Sequence, residues 1–161
     1  MPKTTSLAPN GKPSNLTPEQ YKLVRTPVFK AWFGDWENDP ANASKVVDEN
    51  GEPLVVLHGT DADFYKFKKT KGRGQKNQSG IYFSNNINVA KLYGNKILKC
   101  FVSIKKPYTK DYKGENYHNL YGFPDLEIQA QYYRSKNDMT GIDGVIFYNI
   151  KDSLKRFDIA E

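Results

Sequence analysis

Two short segments of the chain carry the side chains that are best suited to chemistry. The first is the tripeptide His58-Gly59-Thr60, which directly follows an apolar run. A histidine fixed at the end of a buried strand can donate or accept a hydrogen bond, and a glycine beside it lets a ligand approach the main chain. The second segment contains Tyr82 and Ser84, two positions apart and therefore on the same side of a strand. Together these groups suit a flat heteroaromatic ring that carries an amide and lies beside a sugar diol.

The same residues also fit purely structural roles. His58 could be a core histidine whose hydrogen bonds are satisfied internally, and Tyr82 could be a packed aromatic side chain. Residue types and spacing alone do not separate these roles from ligand binding.

Positive charge is concentrated around these two segments. The whole chain carries a net charge of +6. Residues 66–113 contain thirteen Lys and Arg residues and one acid, Asp111, which is a local excess of +12. The rest of the chain is therefore net negative. A solvated lysine surface explains this pattern as well as attraction of a phosphate-bearing ligand or a nucleic acid does.

The N-terminal part of the chain is predicted to begin with a disordered leader and to continue as a helix. Residues 1–15 are polar and contain prolines, which favours disorder. Thr17, followed by Pro18 and Gln20, is typical of a capped helix start, and we expect this helix to reach about Arg25.

A second short helix is predicted to follow Pro27 and to end at Gly34. Its aromatic side chains recur at spacings of three and four and form one apolar stripe. We expect this stripe to pack on one face of a sheet as a helical clamp. The stripe consists of Phe29, Trp32, Phe33 and Trp36.

The remaining sequence alternates short strands, helices and loops, which predicts a small α+β domain. The Asn50-Gly51 dipeptide predicts a hairpin whose second strand runs over residues 53–57 and ends at His58. Segment 63–67 is either a short strand or an extended loop. The other predictions are strands at 81–83, 96–104 and 144–148, helices at 87–93 and 125–135, a mobile loop at 70–80 and a loop at 108–124.

Composition limits the classes of function. With a single cysteine, Cys100, an internal disulfide is impossible, and the chain fits a reducing cytosol. Two histidines and one cysteine argue against a metal site. No apolar run approaches the length of about 18 residues that spans a membrane, and the N-terminus lacks a secretory pattern. We therefore expect a cytoplasmic protein that requires neither a membrane nor a metal.

These segments and their neighbours resemble a known family. The chain is similar to ADP-ribosyltransferases of the diphtheria-toxin and poly(ADP-ribose) polymerase branch, and more closely to such domains in polyvalent proteins of phages and mobile elements. The matching residues are His58-Gly59-Thr60, Gly80 to Ser84, Ala90, Tyr93, Thr26 to Gly34, Asp48 to Pro53 and Asp143 to Ile146. The resemblance covers residues 17–155. It implies one domain over residues 16–161, with a small, split and strongly bent β-sheet that holds NAD in its cleft.

The resemblance also implies roles for individual residues. His58 and Tyr82 are the expected catalytic residues, and Gly59, Thr60, Arg73 and Ser84 are expected to bind NAD as the co-substrate. His58 would hydrogen-bond a ribose of NAD, and Tyr82 would stack on the nicotinamide ring. The Gly59 backbone and Ser84 would hold the amide, while Arg73 would bind the pyrophosphate.

One residue that this family uses has no obvious counterpart in the chain. A Glu or Gln on a later strand normally holds the ribose and activates the acceptor, but no such segment follows residues 148–151. Either another residue takes the role, or the last strand is lacking, or the domain is not a transferase. The candidate carboxylates are Glu115, Glu127, Asp143 and Glu161.

The leading hypothesis is a mono-ADP-ribosyltransferase that moves ADP-ribose from NAD to a macromolecule, a protein in preference to a nucleic acid. The resemblance implies a phage-encoded enzyme in the cytoplasm of a bacterial cell, directed against host defence or metabolism by analogy alone. One alternative is a degenerate module that keeps the NAD cleft and inhibits a partner protein by binding it. The other is an enzyme that modifies or cleaves nucleic acid through the basic segment 66–113.

Overall fold

The computed structural model describes residues 5–67, 81–115, 141 and 143–151. Within them lie three α-helices, two 3₁₀ turns and four strands, so the predicted small α+β class is confirmed. The α-helices are α1 (Pro18–Leu23), α2 (Pro27–Phe33) and α3 (Ile87–Ala90), and the 3₁₀ turns are Pro40–Asn42 and Lys91–Tyr93. The strands are β1 (Val56–Thr60), β2 (Lys96–Cys100), β3 (Pro107–Asp111) and β4 (Gly144–Tyr148).

The described strands form two small sheets, β1 with β2 and β3 with β4. The chain divides into two compact units. The first unit contains the described residues up to Val56 together with Lys99–Pro107, and the second contains Leu57–Leu98 and the described residues from Tyr108 onward. Strong bending of the sheet and a helical clamp on its face stay predictions.

Residues 5–15 form a closed loop instead of the disordered leader that we expected. Leu7 and Pro13 make an antiparallel bridge, and Ser14 N–H donates to Ser6 O (2.9 Å). Gly11 turns the chain with a φ of 79°, a left-handed conformation that glycine adopts without strain. The physical reason for the difference is the Asn10-Gly11 turn, which closes this segment on itself.

Both N-terminal helices begin as the sequence predicts. Thr17 caps α1 in a reciprocal capping box with Gln20, and Thr26 Oγ1 accepts a hydrogen bond from Phe29 N (3.2 Å) at the start of α2. Gly34 ends α2 with a φ of 101°, and a Cβ there would lie 2.4 Å from Ala43 Cα. The helix stop is therefore fixed by conformation and by space.

The core of the first unit is built around the aromatic face of α2. We call Phe29, Phe33, Trp36, Val24 and Ala43 the core cluster; all five are buried, and Phe33 and Val24 are 0% exposed. Phe29 also meets Phe101 edge to face at 5.2 Å. Trp32 is 50% exposed, so the predicted stripe is buried at three of its four positions.

A buried ion pair lies in the same unit. The Glu52 side chain is fully buried, and its Oε2 accepts a hydrogen bond from Arg25 Nη2 (3.0 Å). The Arg25 guanidinium in turn lies over the Tyr21 ring, 3.4 Å from its centroid. A buried carboxylate needs such a partner, because removal from water strongly penalises an unpaired charge.

The hairpin predicted around Asn50-Gly51 is present as a turn, without long strands. Gly51 N–H donates to Asp48 O (3.0 Å), and the only bridge between the two arms is Val47 with Pro53. The strand predicted for residues 53–57 instead begins at Val56 and continues to Thr60. His58 consequently lies in the middle of β1 and not at its end.

β2 is shorter than predicted, because the chain beyond Cys100 bonds to another segment. Ser44 Oγ donates to Val102 O (3.1 Å) and accepts from Ile104 N (2.9 Å). These side-chain bonds replace a continued strand ladder. Cys100 itself is half-buried, and burial raises the pKa of its thiol, which is typical of a cysteine that packs and does not react.

The loop predicted for residues 108–124 is wrong at its start, where β3 runs over Pro107–Asp111. β3 pairs with β4, which the sequence predicts correctly at 144–148. Tyr112, only 4% exposed, packs edge to face on Phe147 at 5.3 Å and anchors this pairing. The predicted helix at 125–135 and the predicted loop at 70–80 lie outside the described residues.

Candidate functional site

A single bridge brings the two predicted segments together. Leu57 on β1 and Ser84 exchange both backbone hydrogen bonds, at 2.7 and 2.9 Å, as an isolated antiparallel bridge. Residues 81–83 therefore run beside β1 but form no strand of their own, which corrects the strand predicted there. The bridge places His58 next to Tyr82.

His58 is held by the backbone of this neighbouring segment. Its Nδ1 lies 2.8 Å from the carbonyl oxygen of Tyr82. Because a carbonyl can only accept, Nδ1 must carry the proton and donate. In the neutral ring, Nε2 is then the unprotonated nitrogen and can accept a hydrogen bond. Among the described residues, Nε2 has no hydrogen-bond partner.

Three phenylalanine rings surround the imidazole of His58. Their centroids lie at 5.1 Å for Phe67, 5.6 Å for Phe83 and 6.1 Å for Phe64. We call these three rings and His58 the His58 cluster. Residues 63–67, predicted to be a short strand or an extended loop, form no strand. Two phenylalanines spaced by three residues just after His-Gly-Thr were the only sequence signal that could have indicated this contact.

Gly59 serves packing more than ligand approach. A Cβ at this position would lie 1.7 Å from the carbonyl oxygen of Ala90, the last residue of α3. No side chain can occupy that space, so glycine is required for α3 to lie against β1. The sequence predicts that another group lies close to the Gly59 backbone. In the structure, the group within the chain that does so is the end of α3.

The other predicted residues that the structure describes are placed as follows. Tyr82 is 40% exposed. Ser84 Oγ accepts a hydrogen bond from Asn86 N (3.0 Å), and Thr60 Oγ1 accepts one from Ala62 N (3.1 Å). Arg73 lies outside the described residues. His58, Tyr82 and Ser84 are thus brought together, and Thr60 lies two residues farther along β1.

A cavity of about 710 Å³ lies at the end of β1. Small-molecule sites commonly have volumes of about 300–1,000 Å³. Among the described residues, Thr60 is the one predicted site residue that lines it. The lining residues are Thr60, Asp61, Ala62, Lys91, Leu92, Tyr93, Gly94 and Asn95. The cavity offers space and polar groups beside His58's strand, although the imidazole itself is not part of its wall.

Two of the four candidate carboxylates lie in the described residues. Glu115 is exposed and its carbonyl oxygen accepts a hydrogen bond from Lys151 N (2.9 Å), while Asp143 is exposed just before β4. Glu127 and Glu161 lie outside the described residues. Within the part of the chain that the structure describes, no three His, Cys, Asp or Glu side chains gather as metal ligands would.

A family described as ADP-ribosyltransferase in polyvalent proteins matches residues 48–158, which confirms the resemblance to that type of domain. The matched region contains β1 with His58 and the segment with Tyr82. No curated protein and no solved structure matches the chain. No helix among the described residues has the length and apolar character needed to cross a bilayer.

Proposed function

The chain belongs to the family of ADP-ribosyltransferases in polyvalent proteins, and on this premise we propose that it transfers a single ADP-ribose unit from NAD to a macromolecular acceptor. The observation that carries the proposal is the state of His58. One ring nitrogen is committed to Tyr82 O at 2.8 Å, and the other is left as an acceptor. An acceptor fixed in this way suits a ribose hydroxyl, which needs a partner to hold the sugar in place.

In the proposed complex, each residue of the site has one task. His58 accepts a hydrogen bond from a ribose hydroxyl of NAD, and the exposed part of Tyr82 stacks on the nicotinamide ring. Backbone groups at Gly59 and the hydroxyl of Ser84 bind the nicotinamide amide, and Thr60 contacts the sugar at the cavity end of β1. Arg73 binds the pyrophosphate as a bidentate donor.

The reaction exchanges one bond at the ribose for another. The bond between the ribose and nicotinamide breaks, and nicotinamide leaves with the bonding electrons as a neutral amide. A nucleophilic atom of the acceptor forms the new bond to the ribose, and its proton passes to a base. The transition state carries positive charge on the sugar, so a nearby carboxylate stabilises it and can take the proton. We propose that this carboxylate is one of Glu115, Glu127, Asp143 and Glu161.

We propose a protein as the acceptor and the cytoplasm of a bacterial or phage-infected cell as the place of action. The family's occurrence in polyvalent proteins supports this setting. A single cysteine, half-buried and with a raised thiol pKa, is compatible with a reducing compartment. Host defence or metabolism is the proposed target.

Labelled NAD tests the proposal directly. Purified protein is incubated with NAD labelled in the adenylate and with bacterial lysate, and label in macromolecules is measured. We expect labelling with the natural chain and its loss in His58→Ala. The matched control is Tyr65→Leu, because Tyr65 is fully exposed and makes no ring contact with His58. If the natural chain produces neither labelling nor nicotinamide release, catalysis is excluded. NAD binding alone would then favour the inhibitory module.

A nucleic acid is the second candidate acceptor, and the charge distribution favours it. Residues 66–113 have a net charge of +12. Phosphate contacts of this kind make binding fall steeply with salt, by about 10³-fold or more between 50 and 200 mM for six contacts. Label found in RNA or DNA, together with such salt dependence, would replace the protein acceptor by a nucleic acid. Binding that is weak and indifferent to salt would leave the protein acceptor in place.

A further inference from the structure

Phe67 is the central ring of the His58 cluster. It contacts all three other members, with centroid distances of 5.1 Å to His58, 5.0 Å to Phe64 and 5.6 Å to Phe83. It meets the imidazole at an interplanar angle of 86°, the edge-to-face arrangement that aromatic rings favour. No other phenylalanine of the cluster touches all the remaining rings.

The two sides of the imidazole are held by two different segments. The residues just after β1 supply Phe64 and Phe67, and the segment that returns beside β1 supplies Phe83 and the Tyr82 carbonyl. A single hydrogen bond at Nδ1 fixes one atom of the ring. Rotation about the bond to the ring is soft and nearly two-fold, so a half-turn would exchange the positions of nitrogen and carbon atoms. Packed rings on the flanks oppose this half-turn.

We propose that Phe67 is a positioning residue that keeps the His58 imidazole in the orientation with Nδ1 on the Tyr82 carbonyl. Nε2 is thereby kept as the acceptor that faces a ligand. The identity of that ligand, a ribose of NAD, rests on the proposed function. The ring orientation and the protonated nitrogen do not rest on it, and they can be measured without any substrate.

The exposure of Phe67 separates this role from plain core packing. Phe33 of the core cluster is 0% exposed, as expected for a ring whose purpose is burial. Phe67 is only half-buried and Phe64 is 36% exposed. Replacing Phe67 should therefore disturb the imidazole more than it disturbs the stability of the unit.

Nitrogen NMR of histidine-labelled protein reads the ring state directly. The chain has two histidines, and the signal that disappears in His58→Asn belongs to His58. We expect the neutral His58 ring of the natural chain to carry its proton on Nδ1, with Nε2 unprotonated. Phe67→Leu should show a mixture of the two neutral forms, because the ring is no longer held in one orientation. Tyr65→Leu, in the same segment, and Phe67→Tyr, which keeps the aromatic ring, should leave the signal unchanged.

Activity gives a second readout that mere loss of packing would not produce. We expect Phe67→Leu to lower kcat by about 10-fold or more with a smaller change in KM, since misplacement of a positioned group acts on the transition state. Phe67→Tyr should restore most of the rate. If Phe67→Leu fails to fold, as judged by the Leu57 and Ser84 amide signals, Phe64→Leu removes the most distant ring and should give a smaller shift of the same kind.

The outcomes separate the two proposals. A His58 signal that is unchanged in both Phe67→Leu and Phe64→Leu would overturn the positioning role, even in an active transferase. A natural chain with Nε2 protonated would overturn it as well. A mixed signal in Phe67→Leu from a protein that never labels any acceptor would support the positioning role and remove the proposed function instead.

Discussion

The core cluster and the His58 cluster are both built from aromatic rings, yet they differ in what the rings enclose. Within the core cluster, Phe29 and Phe33 pack at 5.1 Å and both are buried. The centroids of the His58 and Phe67 rings also lie 5.1 Å apart, but the His58 cluster is only partly buried. The first arrangement removes apolar surface from water, and the second holds a polar ring at the surface. Under the two proposals, similar ring geometry serves stability in one unit and placement of the His58 imidazole in the other.

Arg25 in the first unit and His58 in the second differ in how their hydrogen-bonding groups are used. In the first unit, Arg25 is shared among Glu52, Glu37 and the Tyr21 ring, so its hydrogen-bonding capacity is used inside the protein. In the second unit, Nδ1 of His58 bonds to the Tyr82 carbonyl, and Nε2 has no hydrogen-bond partner among the described residues. Groups that are fully committed contribute to stability, whereas a group with one open position can serve binding.

The largest expected effect lies in the core cluster. Phe33→Ala should lower the free energy of unfolding by about 3–5 kcal/mol, because it leaves a cavity at a fully buried site. Val28→Ala on the same helix is the control, since Val28 is 82% exposed and should change stability by no more than about 0.5 kcal/mol. Denaturant unfolding measures both. Equal effects at the two positions would show that the core lies elsewhere.

Arg25→Met should have the next largest effect. It leaves the fully buried Glu52 carboxylate without its cation. Removing one partner of a buried pair should lower the free energy of unfolding by about 3 kcal/mol or more. Glu37→Gln, on the more exposed side of the same arginine, should cost about 1 kcal/mol or less. Chemical denaturation of the two variants compares them. A variant Arg25→Met as stable as the natural chain would mean that Glu52 finds another partner.

Gly59→Ala should lower the free energy of unfolding by about 3 kcal/mol, because the added Cβ would overlap the Ala90 carbonyl oxygen. Gly11→Ala is the control: its φ is 79° but nothing lies within 4 Å of a Cβ there. That variant should cost only about 1 kcal/mol, from the left-handed backbone alone. Thermal unfolding of both variants checks the order. The reverse order would contradict close packing of α3 on β1.

His58→Ala should have the smallest effect on stability, at about 1 kcal/mol or less, although it is expected to abolish transfer. The Tyr82 carbonyl that loses its donor is near the surface, so water can replace the histidine. Thermal unfolding beside the labelling assay measures the contrast. A loss as large as that of Phe33→Ala would show that the His58 cluster is a second core, and the comparison of the two clusters would fail.

Local sequence signals predicted the local features well. Thr17 with Gln20, Gly34 after the aromatic stripe and the Asn50-Gly51 turn each depend on residues within a few positions. Asn10-Gly11 has the same surroundings as Asn50-Gly51, including a proline two residues after the glycine, and forms the same set of backbone bonds. The turn at Asn10-Gly11 was not predicted, because residues 1–15 are polar and contain prolines, which favours disorder.

Contacts between distant positions could not be derived from periodicity. Phe64 and Phe67 contact His58, and their spacing of three residues does not by itself show which ring they meet. β3 was missed because Pro107–Asp111 contains Lys, Thr and Asp residues that lack an apolar alternation, and its pairing with β4 joins segments more than thirty residues apart. The prediction that His58 and Tyr82 form the site rests on the family resemblance, which supplied what spacing could not.

The most direct test of the account is a structure of the chain with NAD or a non-hydrolysable analogue bound. We predict a ribose hydroxyl within hydrogen-bond distance of His58 Nε2, with Nδ1 still on the Tyr82 carbonyl and the nicotinamide ring against Tyr82. The same structure would show which carboxylate faces the ribose. NAD bound away from β1, or His58 Nε2 turned to a protein group in the complex, would contradict the central claim.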